Sequence, residues 1–165
     1  TLDESNFGMT KKYLLDFIDI PDENIHRIKG EDDPETEVKR YSKEIIKNVN
    51  SKNRLPGFDL IILGLGEDGH TASIFPDQMF VLNSNRICEV AIQPFTRQKR
   101  ITLTGDVINN ADVVIFLVTG ENKSSVLKKV VVEKKKILPA EFIQPVDGKI
   151  IFFLDTESAK DLNEL

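Results

Sequence analysis

His70 and Asp68 are the two side chains of this sequence best suited to acid–base chemistry. They lie in residues 64–76, which read GLGEDGHTASIFP. Histidine changes its charge near neutral pH and can take a proton from water, while a nearby carboxylate can orient the ring or stabilise its charged form. The plainer alternative is that His70 only caps a turn. The glycines favour catalysis, because they let a substrate approach the backbone and leave amide N–H groups free to face an oxyanion.

A buried strand is needed to position this turn. Residues 58–63 read FDLIIL, and such a short apolar run with branched side chains predicts a strand covered on both faces. In an α/β protein the carboxyl end of such a strand faces the ligand crevice. The turn that follows residue 63 is therefore predicted to lie at a binding site.

The glycines of the turn also satisfy the dinucleotide-binding pattern G-x-G-x-x-G, at Gly64, Gly66 and Gly69. That pattern requires a long helix whose first amides hold the pyrophosphate. Here Pro76 leaves room only for a short helix, and Asp77 adds a negative charge beside it. We therefore interpret the match as accidental.

Residues 64–76 match throughout the motif of the 6-phosphogluconolactonases, in which a strand is followed by G-x-G-x-D-G-H-T-A-S-hydrophobe-F-P. The resemblance covers essentially the whole chain and includes Ser5-Asn6-Phe7-Gly8, His26-Arg27-Ile28 and residues 99–104, 107–111 and 116–123. It implies that His70 is the base that activates water against a lactone carbonyl, with Asp68 as its partner. It also implies a NagB/RpiA-like fold.

Two basic residues are expected to hold a substrate phosphate, which needs fixed cations. Arg100 begins an alternating strand at 100–104, and Lys123 lies in the first turn of a helix after a strand at 112–119. Taken alone, both could be solvent-exposed charges. In the wider superfamily, which includes the glucosamine-6-phosphate deaminases, an arginine and a lysine at these motif positions hold the phosphate. The resemblance therefore implies this role for Arg100 and Lys123.

Three further residues complete the predicted binding site. Gly66 and Gly69 belong to the turn itself, and Asn6 belongs to the S-N-x-G segment that lies beside the site in the family. Asn6 could equally cap the first helix, although Ser5 is the better candidate for that cap. His26 is a reserve candidate only and is interpreted as structural, because no acidic residue lies at a suitable spacing.

Two other functions remain open at this point. The deaminases place a glutamate five residues after the histidine, where this chain has Phe75, and an aromatic ring cannot transfer protons. A non-catalytic sugar-phosphate sensor would need phosphate contacts but no base, so the Asp68-Gly69-His70 set argues against it. The resemblance favours hydrolysis of 6-phospho-D-glucono-1,5-lactone to 6-phospho-D-gluconate in the oxidative pentose phosphate pathway.

Composition excludes several classes of protein. The chain has 165 residues, 40% of them hydrophobic, and no apolar run long enough to span a bilayer. A formal net charge of −5 and the absence of a basic, aromatic-rich stripe argue against nucleic acid. The single cysteine, Cys88, cannot form an internal disulfide, and two distant histidines make no metal cluster. We expect a cytoplasmic monomer or weak homodimer that binds a sugar-phosphate lactone and has no metal, cofactor or membrane contact.

The order of elements predicts the fold class. Helices are expected at 5–18, 34–49, 105–110, 122–135 and 156–162, strands at 58–63, 87–93, 100–104, 112–119 and 149–154, and a loop at 50–53. Such alternation predicts an α/β fold with a mainly parallel, Rossmann-like sheet and helices on both faces. Family members carry a glycine-rich phosphate loop and an arginine segment upstream of S-N-x-G. We therefore expect residues 1–165 to be a single α/β domain whose N-terminal part is missing, that is, a fragment.

Overall fold

The computed structural model of the chain describes residues 5–162, and these residues begin with a short helix. Helix α1 spans Asn6–Tyr13, and the Ser5 hydroxyl caps it by accepting the Gly8 N–H at 3.2 Å. The cap was predicted correctly, whereas the predicted helix over 5–18 is too long. Leu14 leaves helical geometry, and only a 3₁₀ turn follows at Leu15–Phe17.

Helix α2 spans Pro34–Asn48 and matches its prediction closely. Asp33 caps it by accepting the Thr36 N–H at 2.9 Å, and Pro34 occupies the first turn, where its missing N–H costs no hydrogen bond. The buried side chains of Val38 and Ile45 pack against Cys88. The start of this helix is therefore set by local signals that the sequence displays.

The strands divide into one parallel sheet and two antiparallel hairpins. Their bounds are Ser51–Lys52 (β1), Leu55–Pro56 (β2), Leu60–Leu63 (β3), Cys88–Ile92 (β4), Lys99–Leu103 (β5), Val113–Val118 (β6) and Lys149–Leu154 (β7). The parallel sheet has the order β3-β6-β7, while β1 pairs with β2 and β4 with β5. The predicted parallel α/β sheet is confirmed. A small hairpin replaces the loop predicted for residues 50–53.

Helices connect the strands after the motif. Helix α3 spans Gly105–Asn109, and helix α4 spans Ser124–Lys128 after a 3₁₀ turn at Glu121–Lys123 and continues into a π-helical turn at Lys129–Glu133. Single 3₁₀ turns lie at Asp22–Asn24, Pro139–Phe142 and Lys160–Leu162, and a longer 3₁₀ segment with a kink at Gln78 spans Pro76–Asn83. No helix within residues 5–162 is long and apolar enough to cross a membrane.

The helix predicted at 156–162 is wrong, because this segment is a turn that ends in one 3₁₀ turn. The Ser158 hydroxyl donates to the Val118 carbonyl at the end of β6, at 3.0 Å. A side chain held by such a tertiary bond competes with regular helical geometry. The turn is therefore shaped by β6 rather than by helix propensity.

The core lies on one face of the parallel sheet. Phe116 and Val118 of β6 are buried there against Leu127 of α4. On the other face of the described residues, Leu60 is 48% exposed and Ile62 is 63% exposed. The prediction that β3 is covered on both faces is therefore wrong within residues 5–162. Leu60 and Ile62 on one face of β3 are as apolar as Ile61 and Leu63 on the other. The pattern could therefore not distinguish a packed face from an exposed one.

Candidate functional site

A closed turn follows β3, as the sequence predicted. The Gly66 N–H donates to the His70 carbonyl at 2.8 Å, and the Gly69 N–H donates to the Gly66 carbonyl at 3.0 Å. The Thr71 hydroxyl donates to the Gly64 carbonyl at 2.9 Å. Gly69 has a φ of 82°, a left-handed conformation that favours glycine. The turn is therefore fixed by its own backbone at the carboxyl end of a parallel strand.

Asp68 and His70 are in direct contact on this turn. Asp68 Oδ1 lies 2.6 Å from His70 Nδ1 and accepts the His70 backbone N–H at 3.0 Å. A carboxylate acceptor at this distance holds the ring proton on Nδ1, which leaves the lone pair on Nε2. The His70 side chain is 33% exposed, so water can reach the ring. A ring held in this way could accept a proton from water at Nε2.

Phe75 supports the other side of the imidazole. The centroids of the Phe75 and His70 rings are 4.9 Å apart, and the two planes are tilted by 48°. Phe75 is fully buried, so its ring is a fixed surface against which the imidazole packs. Phe75, which stands where the deaminases carry a glutamate, therefore has a packing role.

The amide N–H groups of Gly66 and Gly69 are not free, contrary to what was predicted for the glycines of this turn. The N–H groups of Gly66 and Gly69 are both used inside the turn, because they close it. The reason for glycine at position 66 is steric. A Cβ there would lie 2.1 Å from His70 Nδ1 and 2.7 Å from Asp68 Oδ1, far inside contact distance. Gly66 therefore makes room for the Asp68–His70 pair, a role that spacing alone did not indicate.

A second segment, residues 136–141, contacts the motif turn at Gly69. The Ala140 N–H donates to the Gly69 carbonyl at 3.1 Å, and Leu138 packs so closely that a Cβ on Gly69 would meet its Cβ at 2.8 Å. The buried Glu141 carboxylate accepts the backbone N–H groups of Lys136, Ile137 and Leu138 at 2.9, 2.8 and 2.7 Å. Glu141 thus fixes the segment that contacts Gly69, one residue before the histidine. No feature of the sequence analysis pointed to it.

Lys123 lies close to the motif turn, as a phosphate-binding residue should. Its Nζ is 4.0 Å from Glu67 Oε1, and its side chain is only 23% exposed. The Asn122 side-chain amide donates to the same oxygen at 2.6 Å. These contacts form because β3 and β6 are neighbours in the parallel sheet and their carboxyl ends share an edge. Glu67 and Asn122 were missed in the sequence, although this edge rule could have indicated them.

Arg100 lies on the β4–β5 hairpin, where it pairs with Ala91. Thr102, two residues further along β5, accepts the Ser73 N–H with its hydroxyl oxygen at 3.2 Å. Alternate residues of a strand share a face, so Arg100 projects from the face of the hairpin that contacts the motif segment. Within residues 5–162, its side chain bonds to Gln98 at 3.4 Å and forms no described bond with Asp68 or His70.

Asn6 is the first residue of α1. It is exposed in the first turn of α1, where its carbonyl accepts the Thr10 hydroxyl at 2.8 Å. Ser5, and not Asn6, caps the helix. Among the described residues, no hydrogen bond joins Asn6 to the motif turn.

Within residues 5–162, a pair of cavities lies away from Asp68 and His70. One of about 280 Å³ lies beside α1 and is lined in part by Phe7 and Arg27. The other, of about 320 Å³, lies at the amino ends of β3 and β6, beside Asp59 and Asp112. The amino ends of parallel strands are opposite to the edge that carries the motif turn, so this second cavity is not the ligand crevice expected from the sequence.

His26 and Cys88 have structural roles. His26 Nδ1 lies 2.8 Å from Glu44 Oε1, so the expectation that it lacks an acidic partner is wrong; α2 supplies one from 18 residues away. Burial raises the pKa of the Cys88 thiol to about 11, which keeps it protonated and unsuited to nucleophilic attack. Within residues 5–162, no group of three or more histidine, cysteine or acidic side chains could hold a metal ion.

The chain is similar to known proteins over most of its length. The family model of glucosamine-6-phosphate isomerases/6-phosphogluconolactonase matches residues 1–152. The chain is 40% identical over 136 residues to the 6-phosphogluconolactonase of Treponema pallidum, covering 82% of this chain and 56% of that protein. It is 36% identical over 159 residues to the 6-phosphogluconolactonase of Homo sapiens, covering 95% of this chain and 61% of that protein. The chain thus spans less than two thirds of the length of either relative.

A solved structure agrees over almost all of the chain. The 6-phosphogluconolactonase of Trypanosoma brucei superposes with a TM-score of 0.81 at 28% sequence identity, over 98% of this chain and 69% of that one. The family model spans nearly the whole sequence and includes the residues of the parallel β3–β6 pair and of the turn after β3. The chain belongs to the family of glucosamine-6-phosphate isomerases and 6-phosphogluconolactonases.

Proposed function

We propose that the protein hydrolyses 6-phospho-D-glucono-1,5-lactone to 6-phospho-D-gluconate in the oxidative pentose phosphate pathway, with His70 as general base. The observation that carries this proposal is the 2.6 Å contact between Asp68 and His70 on a fixed turn at the carboxyl end of β3. The relatives named 6-phosphogluconolactonase support the choice of substrate.

The reaction follows from the oriented imidazole. His70 Nε2 takes a proton from water as the water oxygen bonds to the lactone carbonyl carbon, and Asp68 stabilises the imidazolium that forms. When the tetrahedral intermediate collapses, the bond from this carbon to the ring oxygen breaks. The imidazolium returns its proton to that oxygen, and the new carboxylic acid releases one proton to solvent. His70 therefore ends each turnover in its starting state.

The substrate phosphate is proposed to lie between the motif turn and Lys123, with Arg100 beside it. The low exposure of Lys123 and its distance of 4.0 Å from Glu67 support its part in this site. Arg100 is supported by its position on the face of β5 that contacts the motif segment through Thr102. Gly66 and Gly69 would line the substrate's approach.

Asn6 remains proposed as a binding residue on the resemblance alone. We also propose that residues 1–165 form one domain, and that the protein is cytoplasmic and a monomer or weak homodimer. The free, buried Cys88 is compatible with a reducing compartment.

Hydrolysis is favoured over the deaminase reaction by Phe75. This buried ring packs against His70 at the position where the deaminases carry a glutamate. Opening an amino sugar and shuttling its proton needs a further acid–base group there, and phenylalanine offers none.

Proton release at controlled pH, after addition of freshly generated lactone, tests the proposal. The wild-type protein is expected to accelerate hydrolysis above the spontaneous rate, and His70→Ala is expected to lose roughly 10²–10⁴-fold in kcat. His26→Ala is the matched control, because it removes the other histidine and is expected to leave turnover unchanged. Turnover that survives in His70→Ala would refute the assignment of the base.

The phosphate contacts are tested in the same assay. Lys123→Ala and Arg100→Ala are each expected to raise KM about tenfold or more, because each removes a charge-assisted contact to the phosphate. Lys47→Ala, which removes an exposed lysine on α2, controls for the change in net charge. An equal rise in KM in Lys47→Ala would mean that only the overall charge matters.

A further inference from the structure

Glu67 links the motif turn to the loop that carries Lys123. Its Oε1 atom accepts the Asn122 side-chain amide at 2.6 Å and lies 4.0 Å from Lys123 Nζ. Asn122 and Lys123 belong to the 3₁₀ turn after β6, and Glu67 belongs to the turn after β3. One carboxylate oxygen therefore joins the loops at the carboxyl ends of two neighbouring parallel strands.

The surroundings of this oxygen are those that a phosphate oxygen seeks. An amide N–H and an ammonium group are both donors to anionic oxygen, and the ammonium adds charge. A dianionic phosphate that binds Lys123 would meet the same donors and would be repelled by the carboxylate. The two anions therefore compete for the same place.

The partners differ in how easily they can move. The Glu67 side chain is 64% exposed, so it can rotate into water, whereas the Lys123 side chain is 23% exposed and more confined. The backbone around Glu67 is held by the bond from Gly66 to His70 and the bond from Gly69 to Gly66. Displacing Glu67 therefore need not disturb the base.

We propose that Glu67 is a displaceable stand-in for the substrate phosphate, and that Asn122 is a phosphate-binding residue whose side-chain amide donates to Glu67 until phosphate displaces it. Glu67 is a positioning residue: it keeps Asn122 and Lys123 in place, yields to phosphate and favours release of the phosphorylated product. This inference rests on the proposed role of Lys123 in the lactonase site.

The test is calorimetric titration with inorganic phosphate and with 6-phosphogluconate at low salt. Glu67→Gln keeps an oxygen for Asn122 but removes the charge, and it is expected to tighten binding about threefold to fivefold. The gain should shrink as salt is raised, because screening weakens the repulsion that was removed. In turnover, Glu67→Gln is expected to lower KM and to lower kcat if release of product limits the rate.

Two further variants provide the controls. Glu121→Gln removes the same charge from the same 3₁₀ turn, but Glu121 pairs with Lys160 and not with Lys123, so binding should change less than about twofold. Asn122→Ala in the Glu67→Gln background is expected to reverse the gain. Equal gains in Glu67→Gln and Glu121→Gln would overturn the proposal, since net charge alone would then explain them.

The outcomes separate this inference from the function on which it rests. Phosphate binding that Lys123→Met weakens but Glu67→Gln leaves unchanged overturns the role of Glu67 alone. If no phosphate binding depends on Lys123, the proposed phosphate site fails and this inference fails with it.

Discussion

One carboxylate oxygen of Asp68 holds His70 at two points. Oδ1 lies 2.6 Å from the ring Nδ1 and accepts the His70 backbone N–H at 3.0 Å. The second contact is the local turn that aspartate forms with the backbone two residues on, and an asparagine can form it as well. The first contact requires an acceptor. Both contacts use the same oxygen, so a substitution that keeps this oxygen and removes the charge tests the charge alone.

Asp68→Asn is expected to keep the fold and to lose kcat by roughly hundredfold or more. The asparagine oxygen can accept from the His70 backbone N–H and from Nδ1, as Asp68 Oδ1 does, but it carries no negative charge. The imidazolium that forms when Nε2 takes a proton is then no longer stabilised by a carboxylate. KM is expected to change little, and the loss is measured by proton release during lactone hydrolysis.

Asp77→Asn is the matched control for this variant. It removes the same charge from an exposed aspartate in the 3₁₀ segment that follows the motif turn. Its turnover is expected to equal that of the wild type. If Asp68→Asn also retains full turnover, Asp68 is not the partner of the base.

Gly66→Ala is expected to abolish most turnover while leaving the protein folded. The added Cβ would lie 2.1 Å from His70 Nδ1, so the ring or the turn must shift. A displacement of about an ångström in a reacting group can cost on the order of hundredfold in rate. The measurement is kcat, together with the far-ultraviolet circular dichroism spectrum and the thermal midpoint.

Gly64→Ala provides the contrast in the same turn. A Cβ at position 64 meets nothing within 4 Å, and φ there is not in the left-handed range. The variant is expected to keep wild-type turnover. Equal losses in both variants would show that the turn rejects any side chain and that the clash with His70 is not the cause.

Local signals explain the parts of the fold that were predicted well. Asp33 followed by Pro34 predicts the start of α2, because both residues act within one helical turn. Residues 58–70 likewise predict a strand and its turn, since β3 and the closed glycine turn are continuous in sequence. Asp68 and His70 meet because they are two residues apart.

Contacts between distant residues explain what was missed. His26 contacts Glu44, which is 18 residues away in the sequence, and Glu67 contacts Asn122, which is 55 residues away. The spacing of charged residues in the sequence does not reveal such pairs, because chain topology brings them together. The prediction that the glycine amides are free was wrong for another reason. Whether an N–H group is free depends on the hydrogen bonds that close the turn, and the same sequence is compatible with several turn conformations.

Glu141→Gln is expected to lower the free energy of unfolding by about 1–3 kcal/mol. The carboxylate is 6% exposed and accepts three backbone N–H groups, whereas a glutamine side chain has one oxygen and brings N–H groups of its own. Because Leu138 packs on Gly69, kcat should fall as well. Urea unfolding followed by circular dichroism measures the first effect, since the chain has no tryptophan.

Glu157→Gln is the control for that stability measurement. Glu157 is exposed in the turn after β7, and its loss is expected to change the free energy of unfolding by less than about 0.5 kcal/mol. If Glu141→Gln is as stable as Glu157→Gln, the three backbone contacts to Glu141 add nothing to the stability of the fold.

Acid is expected to destabilise the protein partly through Glu141. Burial alone would raise the pKa of this carboxyl, but the backbone N–H groups of Leu138, Lys136 and Ile137 outweigh it and hold the pKa below its ordinary value of 4.5. A folded-state pKa below the unfolded value gives a stabilisation that is complete above the unfolded pKa and is lost as the pH falls through the folded pKa.

The free energy of unfolding of the wild type should therefore fall as the pH is lowered from about 5 towards 3. Glu141→Gln should show a shallower fall, because glutamine does not titrate. Glu37 contributes in the same direction in both proteins. Burial alone would raise its pKa, but the hydrogen bonds from Arg40 and from the Lys29 N–H outweigh burial, so its pKa lies below the ordinary value. Urea midpoints measured across this pH range test the difference, and parallel curves for the two proteins would contradict the role of the Glu141 carboxylate.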